Sequence, residues 1–348
     1  MIEQTQTERN YSAIVSRYRL AEPVRIEREE SGMNNTTRMI YAGAERYVLR
    51  VYENHNDRAI VSLEHAILRA LGGSGLSFHV PAPVRNAAQD TVTEAPDGKL
   101  AAIFGYIGGE RPTASSPSHI EGLGRAAGEL TRKLGSLEAL AKLKAVYQPY
   151  YEFEDIHAAM DEAAIRTLSA KLQLTPGRCG QVEALLDVKH RLTALIDRFK
   201  KLPRQWIHGD IVFANALASG EAIVGLLDFE FCTIDARAME LAVICAEFPC
   251  EDDALSLERI SLLCKGYGSR SRLDRDEIAL LPDLIQLRMI DVWLHFAGRL
   301  ADGLDREDVW VQQIERVSFV CGWVERNRPR LPAVLEAAAM QQSTVQAH

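Results

Sequence analysis

The chain has 348 residues, 47% of them apolar and 25% charged, with a formal net charge of −8. This length exceeds a single hydrophobic core and calls for two lobes, in a composition ordinary for a globular protein. The acidic balance argues against a nucleic-acid binder, which carries basic patches, and no apolar run approaches the length of a membrane span.

The amino terminus, MIEQTQTERNYSAIV, lacks the basic and apolar stretches of a signal peptide, so a cytoplasmic location is expected. Tyr11–Arg19 has the pattern of a short amphipathic helix and Val24–Glu29 that of a strand. Ser31–Gly43 follows, then Tyr47–Glu53, whose alternation and β-branched content predict another strand. The Ser/Gly/Asn-rich turn with Ser31, Gly32 and Asn34 suits a nucleotide-covering hairpin, because small residues let backbone N–H groups approach phosphate oxygens. Taken alone, with Gly32 its sole glycine, it is also an ordinary β-turn.

Arg58–Leu71 reads as a helix carrying Glu64, and Pro81 and Pro83 precede the next strand. Leu100–Ile107 (LAAIFGYI) is an apolar run followed by Gly108, Gly109 and Pro112, a buried strand leaving into a flexible connector. From Ser115 the pattern is mainly helical. His119–Leu134 carries Ile120, Leu123, Ala127, Leu130 and Leu134 at helical spacing, with Ser118 as N-cap and Glu121 completing a capping box. Val182–Lys200 repeats the pattern, and Pro203 ends it. Met239–Phe248, Ala254–Tyr267 and Asp274–Leu300 follow, with Pro282 dividing the last into two helices. Asp305–Asn327 is the final strong helix.

Trp293, His295, Phe296, Trp310 and Trp323 on these helices read as core, and His157, His190 and His295 as solvated or packed side chains. Cys179, Cys232, Cys245, Cys250, Cys264 and Cys321 have neither zinc nor redox spacing and read as reduced, mostly buried residues. The polar tail Gln341–His348 is expected to fray.

Trp206–Glu230, WIHGDIVFANALASGEAIVGLLDFE, carries the chemistry. Asp210 and Asn215 stand five apart, the spacing of a phosphoryl-transfer catalytic loop, behind His208-Gly209. Asp228 opens Asp-Phe-Glu directly after the apolar run Ala222–Leu227, which reads as a short buried strand. Phosphoryl transfer is mostly positioning and charge neutralisation, so it needs Mg²⁺ held against nucleotide phosphates and a hydroxyl held in line. Asp228 and Asn215 offer hard oxygen ligands to Mg²⁺, and Asp210 offers a carboxylate to take the hydroxyl proton. The alternative is a loop whose Asp and Asn cap turns; the flanking His208-Gly209 and Asp228-Phe229 favour the catalytic reading.

The segment resembles the motif of the aminoglycoside phosphotransferase/choline kinase superfamily: His-Gly-Asp, then Asn, then an Asp-Phe-Glu-like triplet. Ile234–Ala242 (IDARAMELA) resembles the run that follows it, with Asp235 where Gly is common and Glu240 where Asp is common, while Arg237, Leu241 and Ala242 match. YVLRVYEN, the Glu64 helix, VPAPV and FGYIGGERP are most similar to the homoserine-kinase-like branch. The similarity spans roughly residues 10–330, and its motifs concern the nucleotide rather than the acceptor.

The resemblance implies an α+β, two-lobed protein-kinase-like fold, which the order of elements also supports. Residues 1–105 would form a small β-rich nucleotide-binding lobe, 106–112 the hinge, 113–340 a larger helical catalytic and substrate-binding lobe, and 341–348 a flexible tail. It implies ATP as phosphoryl donor, with its phosphates under Ser31–Asn35 and against Arg50, which stands in place of the usual strand Lys and pairs with Glu64. Phe104 and Tyr106 lie in the stretch facing the base. Asp228 and Asn215 would hold Mg²⁺, and Asp210 would deprotonate the acceptor alcohol, with His208 bracing the loop. Glu230 and Asp235, just beyond the metal Asp, would bind an ammonium or a second metal, or else cap loops. The expected acceptor is a small-molecule hydroxyl of an amino alcohol or a homoserine-like hydroxy amino acid. An aminoglycoside comes second, and a non-catalytic nucleotide-binding scaffold is the reading from another class. No nucleic acid or membrane partner is expected, and a homodimer stays open.

Overall fold

The computed structural model describes residues 2–28, 35–53 and 57–340, and the side chains of all of these except 2–6 and 336–340. Ser31, Gly32, Asn34 and the tail 341–348 lie outside the described residues. The chain divides into two units. The first comprises Met1–Glu110, Leu137–Val146 and Val224–Glu230; the second comprises Arg111–Ser136, Tyr147–Ile223 and Phe231–His348.

In the first unit, helix α1 (Ile2–Val15) leads to strands β1 (Val24–Arg28), β2 (Asn35–Ala42) and β3 (Glu45–Tyr52), helix α2 (Arg58–Gly72), and strands β4 (Thr93–Glu94) and β5 (Leu100–Gly105). These strands form an antiparallel sheet in the order β1-β2-β3-β5-β4. The turn between β2 and β3 falls on Gly43-Ala44, where Gly43 adopts φ +59°, a conformation that costs glycine little.

Side chains alternate between faces along a strand. On one face Leu49 and Val51 of β3 join Ile40, Ala101 and Ile103 beneath Tyr11, Ile14 and Val15 of α1. Each large aliphatic side chain buried this way contributes on the order of 1.5–3 kcal/mol. Arg50 and Tyr52 therefore fall on the other face, where α2 meets them. Asp57 caps α2 by accepting from the Ala59 N–H, and the helix buries the stripe Val61, Glu64, His65, Ile67, Leu68 and Leu71. The first helix starts well before Tyr11, because the Glu- and Gln-rich stretch ahead of it has helical propensity without an apolar stripe to betray it.

The second unit is mainly helical: α3 (Pro117–Leu134), α4 (Phe153–Ile156), α5 (Glu162–Lys171), α6 (Pro176–Thr193) and α7 (Ile196–Phe199) precede four short strands. These are β6 (Arg204–Ile207), β7 (Ala216–Ser219), β8 (Ala222–Leu226), whose last residues pass into the first unit, and β9 (Thr233–Ala236). Then come α8 (Met239–Cys245), α9 (Asp253–Gly268), α10 (Arg275–Ala301), α11 (Glu307–Asn327) and α12 (Leu331–Met340). β-rich and helical parts are thus segregated along the chain, the α+β arrangement expected from the sequence. None of the described helices is long and apolar enough to cross a membrane.

Helices α3 and α9 pack with almost no side chain between them. A Cβ on Gly124 would lie 2.1 Å from the Leu263 carbonyl oxygen, and one on Gly266 would lie 2.0 Å from that of Glu121. Trp293 of α10 stacks on Trp310 of α11 with ring centroids 6.5 Å apart, and both are fully buried. α10 corrects one expectation: Pro282 lies inside a continuous helix. A proline there removes one backbone hydrogen bond, and here the buried residues Leu280, Leu281, Leu284, Ile285 and Leu287 pack the helix through the defect. The N-cap of α3 is Ser116, not Ser118, because Pro117 takes the first helical position. The expected helix over 182–200 breaks between Thr193 and Ile196.

Candidate active site

The first unit gathers Arg50, Glu64, Phe104 and Asp228. Arg50 Nη1 donates to Glu64 Oε1 at 3.0 Å and lies 3.5 Å from Asp228 Oδ1, while the guanidinium stands over the Phe104 ring, 5.5 Å from its centroid. The second oxygen of Glu64 accepts from the Tyr52 hydroxyl at 3.0 Å. Behind it His65, in contact with the Tyr52 hydroxyl, reaches Thr91 Oγ1 at 2.8 Å through Nδ1 and meets Phe104 edge-on.

Burial pushes the Glu64 carboxyl up to about 7 against the pull of Arg50, and burial with nearby Arg50 and Arg69 holds His65 down to about 3. Burial also opposes the charge on Arg50, but Glu64 and Asp228 outweigh it and hold the guanidinium pKa above its usual value. Asp228 stands two residues beyond β8 at φ +67°, in the left-handed region that few side chains other than Asn and Asp visit. Glu230, almost fully buried, accepts from Asn35 Nδ2 at 2.8 Å. Glu64, Asp228 and Glu230 thus all lie in the field of one guanidinium. The Tyr106 ring lies under the Arg46 guanidinium at 4.0 Å.

The second unit gathers Asp210 and Asn215. Strands β6 and β9 pair, Trp206 opposite Ile234, and the chain leaving β6 forms the loop from His208 to Asn215. Gly209 turns that loop at φ +80°, where a Cβ would press on the Phe231 carbonyl oxygen at 3.3 Å. Fully buried Glu240 accepts from the backbone N–H groups of His208 and Gly209 at 3.0 and 2.8 Å. His208 Nδ1 accepts from the Asp210 N–H at 3.2 Å, so this ring braces the loop. Asn215 Nδ2 donates to both the Asp210 carbonyl oxygen and Oδ2, each at 3.0 Å. That leaves the Asn215 side-chain oxygen as the donor atom available to a metal.

Asp235 uses both its oxygens on backbone, accepting from the N–H groups of Tyr150 and Ala236 at 2.6 Å each. Burial pushes its carboxyl up to about 7 against those two hydrogen bonds.

Three contributors were not singled out by the sequence pattern. Arg288 of α10 donates to Asp210 Oδ1 at 2.5 Å and to the Tyr150 hydroxyl at 2.9 Å, and that hydroxyl donates to the Gly209 carbonyl at 2.6 Å. Glu240 was noted only as a departure from the usual Asp. The available signal was an Arg and an Asp three residues apart, Arg288 and Asp291, inside the otherwise apolar stretch 287–294. His157, expected to be solvated or packed, contacts Asp291 Oδ1 at 2.8 Å.

A β-rich unit with an Arg–Glu pair and an Asp-Phe-Glu turn, followed by a helical unit with an Asp–Asn loop, defines the kinase-like phosphotransferase class. Residues 25–279 match the phosphotransferase enzyme family. A homoserine kinase of Methylobacillus flagellatus is 24% identical over 282 residues, 80% of each chain. The fold is shared with an amicoumacin kinase in complex with AMP-PNP, Ca²⁺ and Ami, at TM-score 0.66 and 16% identity over 91% of this chain and 96% of that one. It is shared equally with a microcompartment-associated aminopropanol kinase, at TM-score 0.66 and 16% identity over 94% and 98%. The chain belongs to the phosphotransferase enzyme family. It is an ATP-dependent phosphotransferase that acts on a hydroxyl group of a small molecule.

Proposed function

We propose that this enzyme phosphorylates the hydroxyl of a homoserine-like hydroxy amino acid or a related amino alcohol. The observation that supports it most is the Asp210–Asn215 pair: a carboxylate fixed by the amide five residues on, in a loop braced by His208 and Glu240. In this reading Arg50 grips the nucleotide phosphates, positioned by Glu64 and Tyr52. Asp228 and Asn215 would hold Mg²⁺. Two protein oxygens match an ion that keeps waters and substrate phosphates as its other ligands, and no larger His, Cys, Asp and Glu cluster occurs among the described residues. When bound, the ion neutralises charge on the phosphates.

Asp210 orients the acceptor hydroxyl and takes its proton. The hydroxyl oxygen bonds to the γ-phosphorus, and the bond to the β–γ bridging oxygen breaks with its electron pair leaving on ADP. In the same reading residues 31–35 would cover the phosphates, Phe104 and Tyr106 would lie on the base side, and residues 106–112 would form the hinge. A cytoplasmic setting, where ATP is abundant, fits this chemistry.

The sequence similarity to homoserine kinases favours an amino-acid acceptor over an aminoglycoside. A nucleotide-binding scaffold has no need for Asp210, Asn215 and Asp228 together. The test is transfer from labelled ATP across a panel of amino alcohols, hydroxy amino acids, sugars and aminoglycosides. Label on hydroxy amino acids or amino alcohols is expected. Label confined to aminoglycosides would overturn the acceptor assignment, and nucleotide binding without transfer or hydrolysis would favour the scaffold.

A further inference from the structure

Arg288 is held in a way that the transfer step alone does not require. Its side chain and that of Asp210 are each only 19% exposed, and the guanidinium faces the carboxylate that must accept the hydroxyl proton. Both oxygens of Asp210 are engaged, Oδ1 by Arg288 and Oδ2 by Asn215. A proton taken up by Asp210 removes the charge that holds Arg288. Asn215 is a neutral donor anchored a second time on the Asp210 carbonyl, so the pair with Arg288 is the contact that this proton weakens.

Separating a half-buried ion pair is unfavourable unless a new anion takes the vacated place. A guanidinium offers a planar fork matched to a carboxylate. Tyr150 holds the other arm of that fork and is itself tied to Gly209, so the guanidinium stays in position when Asp210 lets go. Asp291 keeps Oδ2 4.0 Å from Arg288 while its Oδ1 contacts His157.

We propose that Arg288 selects an acceptor bearing a carboxylate, which takes the guanidinium over from Asp210 and thereby frees the base. This rests on the kinase reading above. An acceptor without a carboxylate would have to break the pair without replacement, so discrimination by Arg288 and activation of Asp210 are one event.

The test uses the full chain with Mg·ATP and three acceptors: L-homoserine, its amide, and 3-aminopropan-1-ol, which lacks the carboxylate altogether. The wild type should favour homoserine over both in kcat/KM by at least about 100-fold, as a site built to bind a polar group rejects analogues without it. Arg288→Gln should lose that preference, with homoserine falling and the two neutral analogues rising because the pair they must break is gone; Arg288→Lys should keep part of it. A uniform loss on all three acceptors would make Arg288 a structural support of Asp210 and overturn the proposal. So would a wild type indifferent to the carboxylate, or one active only on 3-aminopropan-1-ol, though transfer would still uphold the kinase reading. Nucleotide binding without transfer to any of the three would overturn both. If Arg288→Gln does not fold, the ratio in Arg288→Lys decides: a fall of about tenfold or more supports the proposal, and an unchanged ratio overturns it.

Discussion

In the first unit a guanidinium is held by carboxylates: Arg50 faces Glu64 and Asp228, with Tyr52 behind Glu64. In the second, a carboxylate is held by a guanidinium and an amide: Asp210 faces Arg288 and Asn215. Their burial differs at the carboxylates: the Glu64 side chain is 2% exposed and that of Asp210 19%, while the two guanidinium side chains, at 15% and 19%, are alike. A buried pair such as Arg50–Glu64 resists exchange, because removing either partner leaves an uncompensated charge out of water. The Asp210–Arg288 pair is open enough to change partners. Anchoring phosphate calls for the first behaviour, and taking up and releasing a proton calls for the second.

That contrast breaks most visibly at Asp228. Asp228→Ala should remove a metal ligand, and because metal stabilisation of a transferring phosphoryl group is worth several kcal/mol, transfer should fall about 10³-fold or more. Calorimetry should show Mg²⁺-dependent nucleotide affinity collapsing while the fold persists; unchanged Mg·ATP affinity would remove Asp228 from the metal site. A smaller effect is expected at Arg50. Charge-assisted hydrogen bonds contribute about 1.5–3 kcal/mol, so Arg50→Ala should weaken ATP binding about tenfold or more. Arg50→Lys should retain part of the affinity, because the charge survives without the fork. Wild-type affinity in Arg50→Ala would reduce the residue to a partner for Glu64.

The smallest effect sharpens the contrast in burial. The Glu64 carboxyl is raised from 4.5 to about 7, so the folded state binds its proton more tightly than the unfolded chain does. Its stabilising contribution is full below the unfolded pKa and is lost as pH rises through about 7. Glu64→Gln cannot ionise, so the melting temperature of the wild type relative to this variant should drop between pH 5 and pH 8, by a few °C for a chain of this size. A difference that stays constant with pH would make Glu64 an ordinary carboxylate.

The sequence exposed these groups unequally, for physical reasons. Asp210, Asn215 and Asp228 belong to one short segment, so their spacing along the chain reported the loop that holds them. Arg50 and Glu64 were legible through the family resemblance, and the alternation of β3 and the stripe of α2 are what turn both residues inward. Arg288 was not legible. It lies 78 residues from Asp210, on a helix with buried residues on nearly every face, and only tertiary packing joins the two. Pro282 misled for a related reason, since a local rule about helix breaking gave way to the burial of its neighbours. Asp235 stood in the motif where Gly is common, but its backbone hydrogen bonds to Tyr150 and Ala236 leave no trace in the sequence.

The most direct test of the whole account is Asp210→Asn, with transfer to homoserine and Mg·ATP affinity measured on the same protein. The substitution keeps the size of the side chain and removes the basic carboxylate. Loss of positioned acid–base assistance costs about 10²–10⁴ in rate, so transfer should fall by that factor while nucleotide affinity stays close to wild type. Near-normal turnover in Asp210→Asn would contradict the account, and nucleotide binding lost as severely as turnover would show that Asp210 supports the fold rather than the chemistry.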